Sequence, residues 1–356
     1  MSGGRLLLIG TGAFAARIAC DVTATARAPV QMVLAGRNRP RLDWLVTACR
    51  ARAATFGTGV ETEAMTADLS SAETVAPLIS AARPDVVVQA ASLQTSAVIA
   101  RDDPWARLVA EGGLSATAPF QAVLSARVGQ AMREAVPRAH LVNCCFPDVV
   151  NGMLAALGLP VACGVGNVGI LSSAFAGLIG PGSVRVLAHY ATIGAWRKPP
   201  GERAGLPMPR VWVDGAEITD VATRFADVLL TPEPAIEISG SASVPLLVAM
   251  ATGAPASAHV PGPLGLPGGY PVHWDGAALS LDLPPGLTQS DAIAWNRAFE
   301  ERNGLLVSSD GAVTFTGTLR DRLRALSPAL AAGFHMRDLE AVHAEMHALR
   351  ARLQAS

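Results

Sequence analysis

Residues 4–19 read GRLLLIGTGAFAARIA, an apolar run that breaks at Gly10, Gly12 and Ala15 and then resumes at helical spacing. A buried strand turning sharply into a helix gives this pattern. Gly10 permits the tight turn, Gly12 lets the backbone approach a ligand with no Cβ in the way, and Ala15 lets the helix lie close to the strand. Gly10-Thr11-Gly12-Ala13-Phe14-Ala15 thus fits G-x-G-x-x-A between a strand and a helix, where helix amides and the helix dipole face an anion.

The next apolar run, Val30–Ala35, ends in Gly36-Arg37-Asn38, with Arg39 and Arg41 close behind. In a dinucleotide-binding unit an acidic residue at this place accepts hydrogen bonds from the ribose hydroxyls of NAD. A guanidinium instead grips a 2′-phosphate through two parallel hydrogen bonds, so the expected cofactor is NADP(H). Asp68, after a weaker strand over Val60–Ala67, either hydrogen-bonds the adenine or belongs to the cap region of the following helix. Ala91 and Ser92 follow the buried run Asp85–Ala90 and are expected to line the cofactor groove.

Further along, Ala13–Arg27, Leu42–Arg52, Ser71–Ala82 and Pro119–Val136 have helical spacing, while His140–Cys144 and Val161–Val165 read as strands. Continuous Val/Leu/Ile strands alternating with helices predict a parallel sheet covered on both faces. The expected class is α/β: a doubly wound Rossmann domain over residues 1–182, a second α+β domain over 183–318 and C-terminal helices over 319–356. In the second unit Ser183–Tyr190, Arg210–Val213, Ala235–Ser239, Tyr270–Trp274, Ala278–Leu283 and Leu305–Ser308 read as strands of a largely antiparallel or mixed sheet. Turns are expected at Asp214-Gly215, Asp275-Gly276 and Asp310-Gly311.

Half of the 356 residues are hydrophobic, and the formal net charge of −1 gives no footprint for nucleic acid or an anionic membrane. Residues 149–184 and 238–274 lack charged side chains, but Gly, Pro, Ser and Asn interrupt both, so they read as buried or interface segments rather than membrane spans. Five cysteines without metal-type spacing suit a reducing cytoplasm, with Cys144 and Cys145 as packed thiols.

GTGAFA, LAGRN, ADL and DVVVQAAS, in that order, resemble the nucleotide-binding half of the saccharopine-dehydrogenase-like oxidoreductases over roughly the first hundred residues. LVNCCFPDVVNGMLAALGLPVACGVGNVGIL is similar in layout to lactate and malate dehydrogenases. That resemblance casts Asn143 as a residue positioning the nicotinamide or the substrate carbonyl. The chain departs from it where those enzymes carry Asp and Arg, reading Gly169-Ile170-Leu171-Ser172-Ser173, which disfavours a simple 2-hydroxy acid as substrate.

Seven histidines offer proton donors. His189, closing the run VRVLAHY, either exchanges the proton in hydride transfer or is a packed strand histidine, with Tyr190 as the competing donor. As strand neighbours, at most one of the two would face the cleft. His343 and His347, four apart, read as a surface feature and not a metal pair. Arg197 and Lys198 (the only lysine) either hold a substrate carboxylate or sit in a solvated loop, and the stretch after the fourth strand, where mobile substrate loops commonly sit, offers Gln94, Arg101 and Arg107. Tyr270, His273 and Trp274 could form a pocket wall or a dimer contact. The expected whole is a cytoplasmic, homodimeric NADP(H)-dependent oxidoreductase without a metal, reducing a small imine or carbonyl. A 2-hydroxy-acid dehydrogenase and a non-catalytic NADP(H)-binding sensor are the alternatives.

Overall fold

The computed structural model describes residues 3–94, 98, 101–231, 235–302 and 304–355. Its first half alternates as expected: β1 (Gly4–Ile9), α1 (Ala13–Thr25), β2 (Val30–Gly36), α2 (Arg39–Phe56), β3 (Val60–Thr66), α3 (Ala72–Ala82) and β4 (Val86–Gln89). Then follow α4 (Pro104–Gly112), α5 (Ala118–Ala135), β5 (His140–Asn143), α6 (Pro147–Ala156), β6 (Val161–Gly164) and α7 (Asn167–Ile179). Six parallel strands run in the order β3-β2-β1-β4-β5-β6. Leu6 of β1 pairs with Met32 on one side and Val86 on the other. The chain therefore reverses direction across the sheet between β1 and β4, and ligands of such sheets sit in the crevice at the strands' carboxyl ends there. This is the Rossmann-type doubly wound arrangement.

The second half departs from the expected single sheet. It holds β7 (Val184–Leu187), β8 (Arg210–Val213), β9 (Ala216–Glu217), α8 (Val221–Arg224), α9 (Ile236–Ala242), α10 (Val244–Thr252), β10 (Ala256–Pro261), β11 (Gly269–Trp274) and β12 (Leu279–Leu281). After these come α11 (Gln289–Arg302), β13 (Leu305–Val307), β14 (Ala312–Phe315), α12 (Gly317–Leu326), α13 (Pro328–Ala331), β15 (Phe334–His335) and α14 (Leu339–Gln354). The strands form three separate antiparallel sheets, β7-β8-β9, β10-β11-β12 and β13-β14-β15. Ala235–Ser239 is not a strand; Ile236 to Ser239 open α9, whose Gly240 lies so close to α1 that a Cβ would stand 2.5 Å from Arg17 Cγ.

The late elements complete both faces of the parallel sheet. Leu319, Leu323, Leu339, Val342 and Met346 join Val87, Phe120, Val149 and Met153 in one core. Val244, Leu247, Val260, Tyr270 and Val272 join Leu6, Leu8, Ile18 and Val88 in the other. Among the described residues no helix is long and apolar enough to cross a membrane.

Candidate functional site

The two glycines of the opening turn do different work. Gly10 has φ 129° and lies against Ala90, where a Cβ would meet backbone atoms at 3.2–3.3 Å, so the fold itself requires glycine. Gly12 has φ −70° and ψ 174°, an ordinary conformation, and among the described residues beyond its chain neighbours a Cβ there would meet no atom within 4 Å. The fold accepts any residue at 12, and the missing side chain leaves open space above the start of α1. Gly12 is the N-cap, no side chain caps the helix, and no acidic residue occupies its first turn. The first-turn amides of Ala13, Phe14 and Ala15 thus face outward at the positive end of the helix, ready for an anion. Ala15 is buried behind them.

Gly36 passes under Thr11, whose Cγ2 would be 2.9 Å from an added Cβ. The three arginines that follow are not equivalent. Arg39 forms an i,i+4 ion pair with Asp43 at 2.9 Å, and Arg41 Nε donates to the Thr11 carbonyl at 3.4 Å. Asn38 caps α2 by accepting from the Arg41 amide at 3.0 Å. Arg37 is exposed and has no partner among the described residues. Asp68 lies across from it; the Ser70 amide holds its carboxyl below the ordinary value, with Arg37 adding a weaker pull. Ala91 and Ser92 are half-buried beyond β4, the Ala91 carbonyl accepting from Gln89 Nε2 at 2.9 Å and the Ser92 hydroxyl donating to the Gln94 carbonyl at 3.0 Å. Gly10 to Ala15, Gly36 to Asn38, Asp68 and Ala91-Ser92 therefore surround one crevice edge.

Asn143 is buried, and its amide is saturated. Its Oδ1 accepts from Ser125 Oγ at 3.1 Å and the Cys145 amide at 3.0 Å, while Nδ2 donates to the Cys145 carbonyl at 3.1 Å and Asn151 Oδ1 at 2.9 Å. An amide side chain has two donors and two acceptor lone pairs, so nothing is left for a ligand. The residue instead braces the turn from β5 to α6, where Phe146 sits in the left-handed region at φ 47°. A non-glycine residue held there stores about 1–3 kcal/mol of strain. Asn143→Ala is expected to lower stability by about 2 kcal/mol or more, because it strands buried partners; a denaturant titration reads this. Burial pushes the neighbouring thiols up, Cys145 to about 12, as packed thiols require.

His189 and Tyr190 do not lie in a strand. β7 ends at Leu187, and His189 opens a 3-10 turn over Tyr190–Arg197. Freed from strand alternation, both rings enter the same region, their centroids 4.3 Å apart. Tyr190 packs edge-on against Phe146 at 4.9 Å, which puts this region next to the carboxyl end of β5. His189 Nδ1 accepts from the Ala191 amide at 3.2 Å, so the ring proton is on Nε2 and is donated to Glu300 Oε1 at 3.1 Å. Burial holds the imidazole down to about 3, with Arg302 acting in the same direction. His189 is neutral, and both its nitrogens are engaged.

Three residues of this cluster were not anticipated. Asp148, in the first turn of α6, accepts from the Tyr190 amide at 3.2 Å and from Asn167 Nδ2; burial raises its pKa to about 6. Glu300, on α11, is pushed well above the carboxylate range by burial and then by Asp148. Asn296 stands one helical turn before it, fully buried. Asp148 is the last charge before the uncharged stretch 149–184, and that placement was the one signal in the sequence.

The remaining candidates lie elsewhere. Gln94 accepts from Arg350, Arg101 pairs with Asp103 and Arg107 with Asp102; residues 95–97, 99 and 100 of that loop lie outside the described residues. Arg197 and Lys198 are exposed, and His273 is exposed beside Ser257. Trp274 is buried against His140, at 4.9 Å, whereas Tyr270 joins the Glu300 cluster. Among the described residues no group of three ligands could hold a metal. A cavity of 880 Å³ opens at the opposite, amino edge of the sheet, lined by Asp85, Arg138, His140 and Trp274, away from the crevice where such folds bind ligands.

No protein-family model matches the chain, and no curated protein matches it. Solved structures do. A lactate dehydrogenase from a Medee basin deep-sea metagenome library superposes with a TM-score of 0.54 at 12% identity, over 83% of this chain and 96% of that one. The lactate dehydrogenase from Eimeria maxima with NADH and oxamate gives 0.53 at 13% identity, over 84% and 92%. The malate dehydrogenase from Picrophilus torridus gives 0.53 at 13% identity, over 84% and 95%. At these identities the likeness is one of fold.

Proposed function

We propose that the chain is a nicotinamide-dinucleotide-dependent oxidoreductase, transferring hydride between NADP(H) and a small carbonyl or hydroxyl compound. One observation carries the reading: the protein leaves space at Gly12, over an uncapped helix start, that its own fold does not use. The pyrophosphate would rest on the amides of Ala13 to Ala15, and the nicotinamide would lie toward Ala91, Ser92 and the end of β5. The fold's kinship with lactate and malate dehydrogenases supports hydride chemistry by analogy. The imine substrates suggested by the saccharopine-dehydrogenase-like stretch rest on sequence resemblance alone, and the substrate panel below includes them.

Arg37 supports NADPH over NADH. Being exposed and unpartnered, it can meet a 2′-phosphate with charge-assisted bonds. Removing about 1.4–3 kcal/mol of such contact changes affinity roughly ten- to a hundredfold. Arg37→Asp is therefore expected to weaken NADPH by that factor and NADH far less, with high salt eroding the wild-type preference. Equal dissociation constants for the two cofactors in the wild type would return Arg37 to a solvated loop residue.

Turnover is tested by following NADPH absorbance with aldehydes, ketones and oxo acids, each with and without ammonium. Oxidation with the carbonyl alone supports the reading, and oxidation that requires the amine moves it to an imine reductase. Binding without turnover across the panel would leave a sensor.

A further inference from the structure

Beside Glu300 lies a group of polar atoms that the protein does not satisfy. Among the described residues the two side-chain atoms of Asn296 and the hydroxyls of Tyr190 and Tyr270 are buried without a hydrogen bond of ordinary geometry, Tyr270 lying toward Asn296 and Tyr190 toward Ser115. Each such atom costs about 1–3 kcal/mol when left unmet, so buried groups of this kind normally meet a water or a ligand. They lie together: Asn296 and Glu300 share a face of α11, the Tyr270 phenol lies beside Asn296, and both tyrosines stand near Glu300. Gly268 closes one side, since a Cβ there would stand 2.1 Å from Asn296 Oδ1.

Hydrogen-bond logic fixes where a proton on Glu300 must be. The Ala191 amide occupies His189 Nδ1, so His189 Nε2 carries the ring proton and gives it to Glu300 Oε1. An acid proton on Glu300 can then sit only on Oε2, the oxygen with no partner among the described residues. The charged and titratable groups around it are His189 and Tyr190 from the turn after β7, Asp148 from α6, Tyr270 from β11 and Arg302 from α11 itself. Arg302 is exposed, its guanidinium 4.6 Å over the Phe299 ring. Among the described residues no basic side chain hydrogen-bonds into this cluster, Arg302 being exposed, and a charged Asp148 would repel a carboxylate.

Resting on the oxidoreductase reading above, we propose that this polar cluster binds the uncharged carbonyl or hydroxyl end of the substrate, and that Glu300 Oε2 exchanges the proton that accompanies hydride transfer. In reduction the carbonyl carbon gains hydride from NADPH, and the carbonyl oxygen gains the Oε2 proton. The products are the alcohol, NADP+ and the Glu300 carboxylate, which water reprotonates. Asn296 Nδ2 and the tyrosine hydroxyls hold the oxygen; His189 is a positioning residue that locks the carboxyl. The substrate carries no carboxylate at its reacting end, which separates it from 2-oxo acids.

The test uses the full chain. NADP+ binding is first measured by calorimetry, and its failure would defeat the oxidoreductase reading alone. With NADP+ bound, an infrared difference spectrum of wild type against Glu300→Gln at pH 7 should show a protonated-carboxyl band that acetone shifts and acetate does not. For any carbonyl substrate found in the panel, Glu300→Gln should cut kcat about a hundredfold with NADPH affinity unchanged. Tyr270→Phe, which deletes one unmet hydroxyl, should weaken the acetone response without removing the band and serves if Glu300→Gln does not fold. A carboxylate band at pH 7, or a band moved equally by acetate and acetone, would overturn the proposal.

Discussion

Gly12→Val is expected to fold normally and to lose NADPH binding by a factor of a hundred or more. Both halves follow from the same geometry. At φ −70° the backbone tolerates a branched side chain, and beyond its chain neighbours no atom of the described residues lies within 4 Å of the added Cβ. Unfolding by denaturant should therefore match the wild type. The same Cβ and its methyls would occupy the space where a pyrophosphate must approach the amides of Ala13 to Ala15. Gly10→Val makes the contrast, because φ 129° and the nearby Ala90 backbone penalise it in the folded chain itself. Retained NADPH affinity in Gly12→Val would mean that the open space serves no phosphate.

The second large effect is on stability. His189→Ala is expected to cost about 3–5 kcal/mol, from the cavity left by a fully buried ring and from the buried carboxyl stripped of its donor. The ring lies parallel to Phe299 at 5.2 Å, so packing is lost along with the bond to Glu300. The mutant should also have a weaker acid dependence. An unfolded His189 titrates near 6.5, whereas burial holds the folded ring to about 3. Its contribution is thus complete above pH 6.5 and drains away as pH falls toward 3. Asp148 opposes this: its folded pKa of about 6 exceeds the unfolded 3.8, so the folded state takes up that proton first. Between pH 6 and 4 the two partly offset, and removing His189 should leave a shallower loss on acidification. A midpoint unchanged by the substitution would contradict the buried pair.

The middle of the parallel sheet was legible because β1 and β4 are apolar on both faces and need no tertiary knowledge to be read as buried, whereas the edge strand β3, VETEAMT, alternates. GRLLLI and DVVVQA stand out from any flanking context. Ala235–Ser239 misled for the opposite reason: its alternating Ile236 and Ile238 have strand spacing, yet close packing of Gly240 on Arg17 draws the segment into α9. Helix α11 carries Asn296 and Glu300 on its buried side, which erases the apolar stripe that marks a helix. The same two residues belong to the polar cluster around His189. The partner of Glu300, His189, lies 111 positions away, a pairing that no local pattern announces. Sequence thus marked the glycine turn that opens α1, which is local, and not the polar cluster around His189, which tertiary contact builds.

The central claim is that the crevice beginning at Gly10 binds a nicotinamide dinucleotide. Calorimetric titration of the wild-type chain with NADPH and then NADH tests it most directly. The expected result is saturable binding of one NADPH per chain, roughly tenfold or more tighter than NADH, with the heat of binding absent in Gly12→Val. Absence of saturable binding for both cofactors in the wild type would contradict it.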